Sequence, residues 1–416
     1  MVVEIGSEIH IRDASKELND WAQENMIIPN PQYRERERRG LWIGNTPKYL
    51  WLYRIDGSDL ILPTGVGKQV RQFLSENDRI SVHLADNGLL SYQGNVPLYD
   101  YQETAVEAMR HASCGILQSP CGSGKTQMGI ALAAILSRKV LWVTHTQDLL
   151  VQSRARAEQY FPPETLGAIT AGKVQIGSHM TFATVQTLCK LDLERYQKTW
   201  DVIIVDECHR LAGSPTQVTM FYKVMNSLAA RHKYGLSATV HRSDGMIKST
   251  FAVLGPVIYK VPDAAVADKT MKVRICRRDT GTEISRGCLD TDGTLNYNDL
   301  LAYLGENQKR NELIVKDLVN QTGHSCLILA SRLEQLRNIR SLLPEELKAV
   351  SAMIDGSMTS KRAKAEREAV IEEMRTGEKK ILFASFGPMP GSVVSGITAE
   401  RLCSGYAVNR PDSKKG

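Results

Sequence analysis

The residues whose types and spacing are best suited to chemistry form the run Ser119-Pro-Cys-Gly-Ser-Gly-Lys-Thr126. Gly122 and Gly124 let the backbone curl until successive N–H groups face a single anion, and the start of a helix adds its partial positive charge. An apolar run, Gly115 to Ser119, precedes the segment and a helical pattern follows it, the strand–turn–helix context that a phosphate-binding loop requires. Gly122, Ser123, Gly124, Lys125 and Thr126 are therefore expected to bind ATP. Lys125 would reach the β- and γ-phosphates, and the Thr126 hydroxyl would ligate Mg²⁺. The first position of the usual loop pattern is Ser119 in place of glycine.

A second chemical signal is Asp201-Val-Ile-Ile-Val-Asp206-Glu207-Cys208-His209, an apolar strand that ends in two carboxylates. Acids at the carboxyl end of such a strand sit where open α/β sheets bind ligands. Asp206 is expected to hold Mg²⁺ through its water shell, and Glu207 to orient and deprotonate the attacking water. A strand ending in two acids is common by itself; following a phosphate loop, it points to hydrolysis.

Positioning these groups requires a particular scaffold. From Leu98 onward, apolar runs at Gly115 to Ser119, Val140 to Thr144, Thr181 to Thr184, Val202 to Val205 and Tyr234 to Ser237 alternate with helical stretches, which predicts a parallel sheet covered by helices. Met128, Ala131, Leu132, Ile135 and Leu136 recur at helical spacing and predict one apolar stripe against that sheet. A second series follows, with strands at Cys326 to Ala330, Ala349 to Met353 and Lys380 to Ser385 and helices at Arg332 to Leu342 and Thr359 to Met374. Residues 1–96 lack this alternation and read as a small α+β domain. Within it, Tyr33-Arg-Glu-Arg-Glu-Arg-Arg39, near Trp42 and Tyr49, joins arginines and aromatics that could grip phosphates and bases; such sign alternation also makes a solvated helical face.

In this order the motifs resemble those of the superfamily-two helicases. Asp-Glu-Cys-His stands in the DExH position, and Ser237-Ala-Thr239 looks like motif III, which implies that His209, Ser237, Thr239 and Arg242 couple the nucleotide site to the track. Leu98-Tyr-Asp-Tyr-Gln-Glu-Thr-Ala resembles the upstream glutamine motif and implies that Gln102 reads the adenine edge. Thr144-His-Thr-Gln147 with Leu149 resembles motif Ia and Thr184-Val-Gln-Thr187 motif Ib. The resemblance gives Thr144, Thr146, Thr184 and Thr187 a grip on the nucleic-acid backbone, while a strand-end threonine can equally cap the next helix. The wording Gly235-Leu-Ser-Ala-Thr-Val-His-Arg242-Ser-Asp-Gly245 is similar to the XPB-like branch, with Val240 where that branch has proline. This branch includes bacteriophage DEAD/DEAH-box helicases and type III restriction translocases. Ile28-Pro-Asn-Pro-Gln-Tyr33 and Asp59-Leu-Ile-Leu-Pro63 look like the accessory domain of the phage group.

The resemblance implies an α/β protein with two RecA-like lobes behind the small α+β domain: an accessory domain at 1–96, an ATP-binding lobe at 97–265, a linker or start of the next lobe at 266–310, and a second lobe at 311–416. Ser325 to Arg332 resembles motif IV, and Ile354-Asp-Gly356 with Lys380-Ile-Leu-Phe-Ala-Ser385 leads toward motif V. Beyond Phe386 the chain reads Gly387-Pro-Met-Pro-Gly-Ser-Val-Val-Ser-Gly396, and no residue matches the arginine finger of motif VI, so the second lobe is expected to be incomplete or divergent. Such an arginine contributes about 10³ to 10⁵ in rate in related nucleoside triphosphatases. Two further expectations follow: an ATP switch with little turnover, or a partner protein that completes the lobe.

The gross numbers agree with a nucleic-acid partner without requiring one. The 416 residues are 42% hydrophobic and 24% charged, with a formal charge of +6. The longest apolar run, Ile130 to Leu136, falls well below the roughly 20 residues of a membrane span, and the first residues have no signal pattern, so a cytoplasmic location is expected. Eight scattered cysteines predict neither a zinc site nor a disulfide framework. An ATP-dependent helicase or translocase acting on DNA, or on RNA, accounts for the set. A simple kinase or small-molecule ATPase would need the phosphate loop alone.

Overall fold

The computed structural model describes residues 1–38, 40–170, 172–212, 214–241, 244–267, 277–290, 293–321, 324–355 and 361–385. They belong to two compact units, Met1–Thr270 and Met271–Gly416.

The first unit is built on an eight-stranded sheet in the order Lys173–Gln175, Leu166–Thr170, Met180–Thr184, Val140–Thr144, Val202–Asp206, His232–Ser237, Cys114–Gln118 and Val257–Lys260. Every neighbouring pair is parallel except the first, where Lys173–Gln175 returns antiparallel from Leu166–Thr170. Successive side chains on a strand face opposite ways. Trp142, Ile204 and Leu236 thus enter one apolar cluster, and Leu141, Val143, Ile203 and Val205 enter another. Helices on both faces bury the central strands completely, which is why these strands read as unbroken apolar runs.

The stripe expected on the helix Lys125–Leu136 is corrected. Met128, Ala131 and Leu132 are buried, but so are Gly129, Ile130 and Ala133, while Ile135 is 49% exposed. The helix packs on the sheet with the helices Asp100–Arg110 and Gln147–Ala157 on either side, so it needs apolar residues on more than one side. Three strands of this sheet, Leu166–Thr170, Lys173–Gln175 and Val257–Lys260, are not among the predicted runs.

Residues near the N-terminus form a five-stranded sheet, in the order Arg54–Asp56, Asp59–Pro63, Glu8–Arg12, Val2–Ile5 and Arg79–Val82. The helix Lys16–Asn25, capped by the Ser15 hydroxyl accepting from Leu18 N at 3.2 Å, shares its core. That core continues within the same unit through Val218, Met246 and Ala252, which lie outside the five-stranded sheet. Gly65 makes the approach possible: a Cβ there would lie 2.5 Å from Gly255 N and 2.6 Å from Ala252 O. Lys233 also bridges the layers, its buried ammonium donating to Met225 O at 2.8 Å and Ser7 O at 3.2 Å. Burial pushes its pKa down to about 8.

In the second unit three parallel strands run in the order Cys326–Ala330, Ile381–Ser385 and Ser351–Ile354. The expected strand start at Ala349 is corrected, because Pro344 followed by Glu345 and Glu346 opens a short helix, Glu345–Ala349. The helix Tyr297–Glu306 is tied to this unit by Asn311 and Asn338, whose amides donate to Gly305 O at 2.9 and 3.2 Å. The motif V and VI stretch, 386–416, lies outside the described residues, as does Arg242.

Candidate nucleotide site

Parallel register brings the chemistry to one edge. Thr184 pairs with Thr144, Val205 with Val143, Asp206 with Leu236, and Ser237 with Gln118, so the carboxyl ends of five strands lie side by side. Gly122 and Gly124 have φ of 79° and 80°, a region that favours glycine, and Gly124 caps the helix beginning at Lys125.

Side chains lock this loop from within. The Ser119 hydroxyl, at the position that departs from the usual glycine, lies 2.5 Å from the Ser123 hydroxyl, which also donates to Pro120 O at 2.7 Å. From the helix Asp100–Arg110, Gln102 Nε2 and the Tyr101 hydroxyl both donate to Ser123 O, at 2.8 and 3.0 Å. Gln102 Oε1 accepts from Tyr99 N at 2.9 Å, which ties the side chain back to the start of its own helix. The amide expected to read adenine is thus buried, with one end on the loop at Ser123 O and the other on the start of its own helix at Tyr99 N. A Cβ on Gly124 would come within 2.4 Å of that amide.

Lys125 is nearly buried. Its ammonium has only long contacts, to Ser119 O and Pro120 O at 3.4 Å and to Glu207 Oε1 at 3.7 Å. Thr126 follows it, half-buried, in the first turn of the helix. Asp206 accepts from Glu207 N at 3.0 Å and from the Ser153 hydroxyl at 3.4 Å. Burial first, and the neighbouring Glu207 charge second, push its pKa up to about 6.

Glu207 has φ of 47°, a left-handed conformation that costs a non-glycine residue about 1–2 kcal/mol. The turn aims its carboxylate between Lys125 and His209, whose Nδ1 lies 3.3 Å from Glu207 Oε2 and 2.9 Å from the Ser237 hydroxyl. Ser237 gives its proton to Thr239 O at 2.6 Å and accepts from Thr239 N at 3.2 Å. With that proton committed, His209 Nδ1 is the donor to Ser237, and the same N–H faces the Glu207 carboxylate. A line of polar contacts therefore runs from Glu207 past His209 Nδ1 to Ser237 and Thr239.

The four threonines are engaged locally. Thr144 donates to Thr146 O at 3.0 Å, and Thr146 caps the helix Gln147–Ala157 by accepting from Leu149 N at 3.3 Å. Thr184 caps Val185–Leu188 by accepting from Thr187 N at 3.3 Å, with the two hydroxyls 2.9 Å apart. Gln186 joins the pairs by donating to His145 O at 3.0 Å. Sequence reasoning missed Ser153, because a serine inside a helix carries no signal of a partner 53 residues away.

This arrangement fits the groups the motifs call for. Backbone N–H groups and a poorly satisfied ammonium suit a phosphate anion, and a buried carboxylate held toward its neutral form is relieved by a divalent cation.

Residues 95–242 match the family described as type III restriction enzyme, res subunit. The chain is 25% identical over 353 residues to DNA 3'-5' translocase XPB2 of Sulfurisphaera tokodaii, covering 76% of each chain. It is 26% identical over 307 residues to DNA 3'-5' helicase XPB of Kineococcus radiotolerans, covering 69% of this chain and 50% of that one. The probable helicase D10 of Escherichia phage T5 is 26% identical over 230 residues, with 55% of this chain and 48% of the relative covered. The chain thus spans three quarters of one relative and about half of the other two.

Proposed function

We infer that this chain, similar to the superfamily-two DExH helicases of the XPB-like branch, hydrolyses ATP to drive movement along a nucleic acid. One observation carries the reading: a phosphate loop, a DECH strand end and a Ser-Ala-Thr strand end meet at one sheet edge, with Lys125 3.7 Å from Glu207 and His209 2.9 Å from Ser237. A kinase or small-molecule ATPase has no use for the last link. The relatives' names, translocase and helicase, favour turnover over a silent switch, and their DNA substrates favour DNA as the track.

In the proposed mechanism the loop N–H groups of Gly122, Ser123 and Gly124 hold the phosphates, and Lys125 leaves its weak carbonyl contacts to pair with the outer ones. Mg²⁺, held by Thr126 and Asp206, would offset phosphate charge. Glu207, fixed by its strained turn, takes the proton of the attacking water. Loss of its contact with Lys125 frees the carboxylate for that role, and His209 relays the change to Ser237 and Thr239. Thr239 leads to Arg242, for which we propose a part in the same coupling. Thr144, Thr146, Thr184 and Thr187 shape two adjacent helix starts whose backbone N–H groups can hold strand phosphates. We further propose that 1–96 is an accessory domain and that 97–265 and 311–416 are the two lobes.

The test is phosphate release with single-stranded DNA, duplex DNA, RNA or no nucleic acid. Stimulation by DNA is expected. ATP turnover indifferent to every nucleic acid would contradict the reading.

A further inference from the structure

The helix Pro31–Arg38 has no buried residue. It starts where the strand Ile27–Pro29 ends, and that strand pairs antiparallel with Tyr49–Trp51. Asn30 fixes the junction, its N–H donating to Lys48 O at 3.0 Å and its side chain to Pro47 O at 2.8 Å. On the second strand Leu50 packs inward, so Tyr49 and Trp51 both face out, 43% and 60% exposed. The connecting loop presents Trp42 at 86% exposure and is held by Arg36, which donates to Thr46 Oγ1 at 3.1 Å. The Lys48 ammonium lies 5.8 Å from the Tyr49 ring centroid.

A solvated charged helix needs no large rings beside it, and a protein keeps such rings in water at a cost unless something covers them. Over 31–51, Arg34, Arg36, Arg38, Arg39 and Lys48 stand against Glu35 and Glu37, a net charge of +3. Exposed rings among excess cations match unpaired bases on a phosphate backbone, whereas a duplex hides its base faces.

We propose that this face of the N-terminal region, with Tyr49, Trp51 and Trp42 as stacking platforms and Arg34 and Lys48 as phosphate contacts, is a binding site for single-stranded nucleic acid outside the motor edge. The inference rests on the chain being a nucleic-acid motor, and the closing experiment separates the two.

The test uses the full chain without nucleotide, a labelled oligothymidine, and the variants Trp42→Ala/Trp51→Ala and Trp42→Phe/Trp51→Phe, with thermal midpoints checking the fold. Stacking is worth about 1–3 kcal/mol per base, so the alanine pair should weaken binding by about ten-fold or more, and the phenylalanine pair should keep most of it. Tryptophan emission should quench on binding, more with single strands than with duplex. Arg34→Ala/Lys48→Ala should lower the slope of log affinity against log salt by about 0.7 for each charge removed. Alanine variants that bind single strands like the parent, in a chain whose turnover DNA stimulates, would overturn this proposal alone and assign the face to a protein partner. A parent chain that neither binds nor responds to nucleic acid would overturn both readings.

Discussion

Asp206 and Glu207 show how adjacent residues acquire different roles from their surroundings. Asp206 is buried with its pKa raised to about 6, so the folded chain holds a proton there that the unfolded chain has released above the usual value of 3.8. The sign follows: between pH 4 and 6 the native state binds more protons, and its stability falls as pH rises through that window. Asp206→Asn, measured without metal by chemical denaturation, should therefore be more stable than the parent above pH 6 by a margin on the order of 3 kcal/mol that fades below pH 4. An unchanged difference from pH 4 to 8 would contradict the cause given. Residue identity was legible in the sequence here because a phosphate loop and a DExH strand end have fixed local spacing. The strained φ at Glu207 and the Ser153 hydroxyl on Asp206 were not legible, since both arise from tertiary packing.

At the scale of elements, the helix Asp100–Arg110 acts as a clamp on the phosphate loop through Tyr101 and Gln102. Removing the Gln102 amide leaves Tyr99 N and part of Ser123 O without partners. Gln102→Ala should cost about 1–2 kcal/mol of stability and weaken ATP binding, read by calorimetry and nucleotide titration. Full ATP affinity in that variant would mean the clamp is not needed. The central strands were readable because burial on both faces forces unbroken apolar runs. Lys173–Gln175, three exposed edge residues, and Val257–Lys260, only partly buried, lack that pattern. The helix Lys125–Leu136 misled for the opposite reason, since a helix covered on several sides loses its single stripe.

At the scale of the whole molecule, the five-stranded and eight-stranded sheets lie in one compact unit, and the core of the first reaches Val218, Met246 and Ala252, a relation that composition and turn signals could not reveal. Gly65→Ala tests the closeness of that packing. Its Cβ would meet backbone atoms at 2.5–2.6 Å, so chemical denaturation should show a loss of about 1–3 kcal/mol, and an unaffected midpoint would contradict the contact. Hydrolysis of ATP at this sheet edge is tested by Glu207→Gln. With saturating ATP and DNA, phosphate release should fall by about 10²–10⁴ while nucleotide affinity stays within a few-fold of the parent's. A variant that releases phosphate at the parent's rate would show that the water is activated elsewhere and that the assignment of this edge is wrong.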